Sequence, residues 1–134
     1  MTPEHRSPAD VLASFNRALG GEDPRALAEL FADDAQLLFA NRAPAVGRDA
    51  IREHWAPILA ANVTTDPELT CPIVDVHADD AYAAWSYAET VRLRAGGEAR
   101  RLHGRSVFFL RREPDGAWRI RLAMNSPAPP DPIG

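Results

Sequence analysis

The hydrophobic pattern in the first part of the chain predicts a pair of helices. Ser7 and Pro8 supply a capping residue followed by a proline that suits the first helical turn. The apolar residues that follow recur at the spacing of one helix face: Val11, Leu12, Phe15, Ala18 and Leu19. Gly20-Gly21 end this helix, and Asp23-Pro24 repeat the start signal for a short second helix.

The next segment predicts one strand and a third helix. Residues 35–40 form an apolar run whose length suits a buried strand better than another helix. Gly47 then opens a helix whose apolar face is Ile51, Trp55, Ile58 and Leu59. Pro57 lies inside this helix and predicts a kink or a tightened last turn.

The pattern changes beyond Asn62, where hairpin turns separate extended segments. The segments are residues 68–78, 81–95, 98–112 and 117–125, and they are punctuated by Asp79-Asp80, Gly96-Gly97 and Pro114-Asp115-Gly116. Pro72 predicts an edge position or a bulge in the first of them. Helices followed by an antiparallel meander indicate an α+β fold with three helices packed on one face of the sheet.

Length and composition fit one domain. The chain has 134 residues, of which 46% are hydrophobic and 25% charged, so one core is expected without a disulfide or a metal. We assign residues 1–126 to this domain and residues 127–134 to a proline-rich tail. The single cysteine, Cys71, lies in an apolar run, and we expect it to be a small buried hydrophobe in a reducing compartment.

Several classes of partner are disfavoured. A net charge of −4 disfavours nucleic acid, and the absence of a long apolar run predicts a cytoplasmic chain that does not enter the membrane. The histidines lack the spacing of a metal site, so no metal is expected: His5, His54, His77 and His103. With no phosphate loop and no dinucleotide fingerprint, no cofactor is expected either.

Three stretches carry a resemblance to a known family. Residues 30–38 and 47–55 are similar to the helix-2, strand-1 and helix-3 signature of ketosteroid isomerases and SnoaL-like proteins. Residues 115–120 and Asn125-Ser126 resemble the end of small SnoaL-like proteins of polyketide and enediyne pathways. The resemblance covers residues from about 8 to 126. It implies the cystatin-like, nuclear transport factor 2-like cone, in which a curved, mainly antiparallel sheet wraps around helices to enclose a cavity.

The resemblance also maps the isomerase's catalytic positions onto this chain. It places Phe15 at the tyrosine that donates to the oxyanion, Phe39 at the base and Ser106 at the second acid. Phenylalanine can neither accept the proton nor donate the hydrogen bond. The chain is therefore not expected to be an efficient ketosteroid isomerase.

What remains is an apolar pocket with neutral donors. The resemblance and strand alternation imply that Phe15, Phe39 and Trp55 form an aromatic wall, with Asn41 on the face of Phe39. They further imply Ser106 and Asn125 as catalytic donors and Arg121 as an anion or oxyanion partner. An alternative is that the aromatics simply fill the core. His54 and His103 are weaker candidates for a base.

The last strand supports two conflicting assignments. Alternation from Trp118 to Met124 predicts that Trp118, Ile120, Leu122 and Met124 are buried, whereas the family pattern directs Arg121 and Asn125 toward the cavity. Both hold if the sheet is covered on two sides, and a homodimer through the outer face would do so.

The leading functional hypothesis is a cofactor-independent isomerase, cyclase, dehydratase or hydrolase acting on a hydrophobic, polyketide- or steroid-like molecule. The alternative is a non-catalytic ligand-binding or oligomerising accessory module. An open apolar pocket of several hundred Å³ favours an enzyme or a binding module, and a filled cone favours a scaffold.

Overall fold

The computed structural model describes residues 6–40 and 42–128, apart from the side chain of residue 71. The predicted burial of Cys71, the predicted position of Asn41 and most of the predicted tail lie outside these residues. In chain order the elements are α1 (Pro8–Gly20), α2 (Pro24–Glu29), β1 (Phe31–Phe39), β2 (Ala45–Val46), α3 (Arg48–Ala61), β3 (Asn62–His77), β4 (Asp80–Leu93), β5 (Arg100–Arg112) and β6 (Trp118–Pro127).

The helix starts follow from local capping, as predicted. The Ser7 hydroxyl accepts a hydrogen bond from the Asp10 amide at 3.1 Å, which satisfies one free donor of α1. The Asp23 carboxylate accepts from the amides of Arg25 and Ala26, each at 3.1 Å, and starts α2 in the same way. Helix α3 continues through Pro57 to Ala61.

The six strands form one curved sheet in the order β2-β1-β6-β5-β4-β3. Strands β1 and β6 are parallel, and every other neighbouring pair is antiparallel. The three helices pack on one face of this sheet. The largest fully buried side chains come from both layers: Phe31, Leu27, Ile51, Leu110, Ile120 and Val11. The α+β fold class predicted from the sequence is confirmed.

Three strand boundaries differ from the predictions. Strand β1 begins at Phe31 rather than at residue 35, and the short β2 was not predicted. Strand β3 begins at Asn62 rather than at residue 68, because the mostly polar residues 62–65 pair with β4. Pro72 lies in β3, an edge strand, at a register shift between Thr70 and Ile73, which confirms the positional prediction for this proline.

An irregularity in β6 resolves the conflict over its two faces. Leu110 pairs with Ile120 and Phe109 pairs with Leu122, so Arg121 is an extra residue without a partner on β5. Before this bulge, Ile120 is buried; after it, Ala123 is buried, whereas Met124 is 47% exposed. The prediction of one continuous buried face from Trp118 to Met124 is therefore wrong beyond Ile120.

Candidate functional site

A cavity of about 540 Å³ lies between the helices and the concave face of the sheet. Aromatic rings make up much of its wall: Phe15 of α1, Phe39 of β1, Trp55 of α3, and Trp85 and Tyr87 of β4. Phe15 meets Trp55 edge to face, with ring centroids 6.2 Å apart. Behind the wall, Phe108 contacts Phe15 at 5.0 Å and Trp85 at 4.6 Å, which fixes the rings in place.

Most of the site residues predicted from the sequence line this cavity. They are Phe15, Phe39, Trp55, Ser106 and Asn125. The open volume shows that the aromatics do not fill the cone, but the chemical roles assigned to these residues remain predictions. Asn41 lies outside the described residues.

Arg121 does not line the cavity, so the prediction that it points there is wrong. Its guanidinium lies 3.8 Å from the Asp80 carboxylate, and its side chain is 52% exposed. The physical reason is the β6 bulge, in which Arg121 is the inserted residue and turns away from the cavity.

Strand pairing brings Tyr87 and Asn125 together across three strands. Tyr87 pairs with Gly104 of β5, and Gly104 pairs with Pro127 of β6. Since Gly104 has no side chain, the Tyr87 ring passes over it, and the Tyr87 hydroxyl donates to Asn125 Oδ1 at 2.9 Å. Burial raises the pKa of the Tyr87 hydroxyl, Glu89 raises it further, and the hydrogen bond to Asn125 partly offsets the rise. Tyr87 is thus a neutral donor that orients the Asn125 amide.

Glu89 places a carboxyl group in the same wall. Alternation along β4 puts Trp85, Tyr87 and Glu89 on one face, and all three line the cavity. Burial raises the pKa of Glu89 above its ordinary value of 4.5, and the positive charge of Arg101 offsets part of that rise. Sequence reasoning missed both Tyr87 and Glu89, although counting in steps of two from the buried Trp85 would have found them.

The two candidate histidines differ in position. The His54 ring lies 5.3 Å from the rings of both Phe39 and Trp55, behind the wall rather than on it. Burial and the nearby Arg42 lower the pKa of His54 from 6.5, so it is neutral there. His103 lines the cavity, but it pairs with Ala88 and is therefore out of phase with Tyr87 and Glu89.

Two buried donors or acceptors near the cavity lack a hydrogen-bond partner among the described residues, His54 Nε2 and Trp55 Nε1. Within residues 6–40 and 42–128, no group of three or more His, Cys, Asp or Glu side chains could hold a metal ion. None of the described helices is long and apolar enough to cross a membrane.

Comparison with known families and structures places this geometry in context. The family model described as SnoaL-like domain matches residues 5–123. No significant match is found among curated protein sequences.

Three solved structures illustrate the structural similarity. A ketosteroid isomerase-like protein from Erwinia carotovora atroseptica SCRI1043 has 21% identity over 97% of this chain and 100% of its own, with a TM-score of 0.81. A nuclear transport factor 2 (NTF2-like) superfamily protein from Salmonella enterica has 19% identity over 93% and 91%, with a TM-score of 0.79. An NTF2-like protein with a cystatin-like fold from Novosphingobium aromaticivorans has 20% identity over 91% and 80%, with a TM-score of 0.71. At such identities the similarity shows the fold alone.

Proposed function

This chain belongs to the SnoaL-like domain family, and we propose that it binds a hydrophobic, ring-containing small molecule in its cavity and converts it. The observation that carries the proposal is the open, aromatic-walled cavity of about 540 Å³. Small-molecule sites span roughly 300–1,000 Å³ and combine apolar walls with a few placed polar groups, as this one does. A scaffold would be expected to fill its cone.

The proposed chemistry is isomerisation, cyclisation, dehydration or hydrolysis of a polyketide- or steroid-like molecule without a cofactor. Ser106 and Asn125 are the proposed catalytic donors, and Ser106 lies opposite Asn125 in the register of β5 and β6. Phe15, Phe39 and Trp55 would hold the apolar body of the substrate. Holding a ligand in a reactive geometry supplies much of the rate acceleration in such a site. The similarity to a ketosteroid isomerase-like protein supports an enzyme on this scaffold but does not identify the reaction.

Efficient ketosteroid isomerisation is outside this proposal. Phe39 cannot act as a base and Phe15 cannot donate to an oxyanion. Loss of a positioned base lowers the rate about 10²–10⁴-fold, and loss of an oxyanion donor lowers it about 10²–10³-fold. We therefore expect turnover at least about 10⁴-fold below that of an efficient isomerase. Ultraviolet absorbance follows the conversion of a β,γ-unsaturated 3-ketosteroid to its conjugated isomer. Turnover that rivals an efficient isomerase would contradict the mapping of Phe15 and Phe39.

We further propose a homodimer through the outer face of the sheet, defined here by Ile73, Tyr82, Phe109, Leu122 and Met124. Ile73 is 55% exposed and Phe109 42%, and the rings of Tyr82 and Phe109 lie 6.5 Å apart. Register places all five residues on the side opposite the cavity. A continuous apolar patch on a sheet is typical of an interface, and a second copy would cover it isologously.

Ligand binding is tested by blocking the cavity. Val91 lines it, and Val91→Phe would occupy the volume that a ligand needs. Val76 is 48% exposed and does not line it, so Val76→Phe makes the same change as a matched control. The change in tryptophan fluorescence that accompanies binding of the apolar probe 5α-androstane should be lost in the first variant and kept in the second. Equal binding by both variants would refute the cavity as the binding site. Binding without turnover of any oxygenated substrate would favour the non-catalytic alternative.

A further inference from the structure

Glu89 is a carboxyl group in an apolar wall with no evident structural purpose. Its cavity neighbours along β4 are Tyr87 and Val91, and its cross-strand partner is Leu102. Among residues 6–40 and 42–128, no side chain forms an ion pair or hydrogen bond with its carboxylate. Glu89 is half-buried and faces the cavity, so its carboxyl group is partly withdrawn from water and is available to a ligand that enters the cavity.

Arg101 is the cation whose charge acts on Glu89, and it is engaged elsewhere. Arg101 points to the other face of β5, where it lies 3.3 Å from the Glu68 carboxylate and donates to Thr90 Oγ1 at 2.9 Å. The other ionisable groups of the cavity are Glu68 of β3, Tyr87 of β4, Glu98 of the following turn, and Arg100 and His103 of β5. Helices α1 and α3 contribute only apolar side chains and the amide of Asn16 to the lining, and Asn62 at the start of β3 adds a second amide.

The main-chain positions of Glu89 and Asn125 are offset along the sheet. Asn125 pairs with Ser106, and Ser106 pairs with Trp85, which is four residues before Glu89 on β4. At about 3.3 Å per residue this offset is about 13 Å along the strand. A ligand several rings long spans an offset of this size and can meet both side chains.

We propose that Glu89 is a second ligand-binding residue, which as a neutral carboxylic acid donates a hydrogen bond to a carbonyl oxygen of the ligand. This inference rests on the proposed small-molecule function and narrows its ligand class. The ligand is an elongated apolar ring system with an oxygen at each end: one accepts from Glu89 and the other accepts from the Asn125 amide, which Tyr87 orients. Partial burial raises the pKa of Glu89, and this direction favours the protonated form that donation requires.

Two probes with the same ring body test the proposal: 5α-androstane and 5α-androstane-3,17-dione, which carries a ketone at each end. Tryptophan fluorescence measures their affinities from pH 5 to pH 9. The dione should bind more tightly than the hydrocarbon. The ratio of the two affinities should fall as pH rises, because ionised Glu89 can no longer donate a hydrogen bond to the ketone. Glu89→Gln keeps an N–H donor and should bind the dione without this pH dependence. Glu89→Leu should weaken the dione by about 3- to 10-fold and leave the hydrocarbon unweakened.

Controls separate Glu89 from its neighbours and this inference from the proposed function. Glu98→Gln and His103→Gln should retain the pH dependence of the intact protein. If the pH dependence persists in Glu89→Gln, or if Glu89→Leu weakens both probes equally, the role of Glu89 is refuted while the binding cavity stands. If the hydrocarbon itself does not bind the intact protein, the proposed function fails first. Circular dichroism confirms that each variant is folded.

Discussion

Replacing Gly104 with alanine should disrupt the polar end of the cavity. A Cβ atom at this position would lie 2.6 Å from the Tyr87 hydroxyl, 2.6 Å from the Ser126 carbonyl oxygen and 2.8 Å from Pro127 Cα. Such distances are far below van der Waals contact, and two of the three atoms belong to the main chain of β6. Either β6 or the Tyr87 ring must move, and the hydrogen bond to Asn125 depends on both.

The expected destabilisation has two parts. Forcing a methyl group into a closely packed site costs about 1–3 kcal/mol, and losing the Tyr87–Asn125 hydrogen bond costs about 0.5–1.5 kcal/mol. Gly104→Ala should therefore lower the free energy of unfolding by about 2–4 kcal/mol. Gly20 is the matched control, because a Cβ there has no atom within 4 Å. Gly20→Ala in the last turn of α1 should be neutral or stabilise the fold by up to about 1 kcal/mol.

Urea unfolding of both variants measures these free energies. Tyr87→Phe, made in the native and in the Gly104→Ala backgrounds, isolates the hydrogen bond. It should cost about 0.5–1.5 kcal/mol alone and nearly nothing when Gly104 is already alanine. Native-like stability of Gly104→Ala would refute the close packing. An equal cost of Tyr87→Phe in both backgrounds would show that the clash leaves the hydrogen bond intact.

Three further predictions concern stability and assembly. Because the pKa of Glu89 is raised, its contribution to stability is complete below pH 4.5 and is lost as the pH rises through the folded-state pKa. The melting temperature of Glu89→Gln should therefore be higher than that of the native protein at pH 8 and equal to it at pH 4. The pKa of His54 is lowered, so its effect on stability has the opposite pH dependence, and stability is lost as the pH falls below 6.5. Over that range the urea midpoint of His54→Phe should rise relative to that of the native protein. Light scattering at micromolar concentration should find a dimer, and Phe109→Glu should convert it to a monomer. Val74 is 41% exposed, close to the 42% of Phe109, but it lies on the opposite face of the sheet, so Val74→Glu should leave the dimer intact. A monomeric native protein would contradict the interface.

The elements that the sequence predicts well are those whose signals are local. Ser7 and Asp23 cap their helices through hydrogen bonds to residues two or three positions away, and such pairs are visible in one dimension. The first part of β3 is different. Residues 62–67 are mostly polar and contain a proline, and they become a strand only because β4 supplies backbone partners. Pairing of this kind is a tertiary effect that overrides local propensity.

The residues of the candidate site also differ in whether the sequence alone could identify them. The resemblance to a family led to Phe15, Phe39 and Trp55, because it carried over positions at which that fold is known to build a wall. It could not reveal Tyr87 or Glu89, which hold no position in the catalytic pattern that was mapped. The role of Tyr87 depends on a glycine on the next strand and an asparagine two strands away.

The bulge at Arg121 connects the cavity to the proposed interface. If Arg121 paired with Phe109 instead of forming a bulge, β6 would keep one phase throughout, so Met124 would face the helices with Ile120 while Asn125 faced outward. The inserted residue reverses that phase, which turns Asn125 into the cavity and Met124 onto the outer face. A strict alternation of apolar residues runs straight through this point, and arginine is not a residue that marks a bulge, so the reversal cannot be found by counting along the chain. A β6 strand in which Arg121 paired with Phe109 would therefore lose the Tyr87–Asn125 contact and the outer apolar patch together, which makes the polar end of the site and the proposed dimer surface two consequences of one local irregularity.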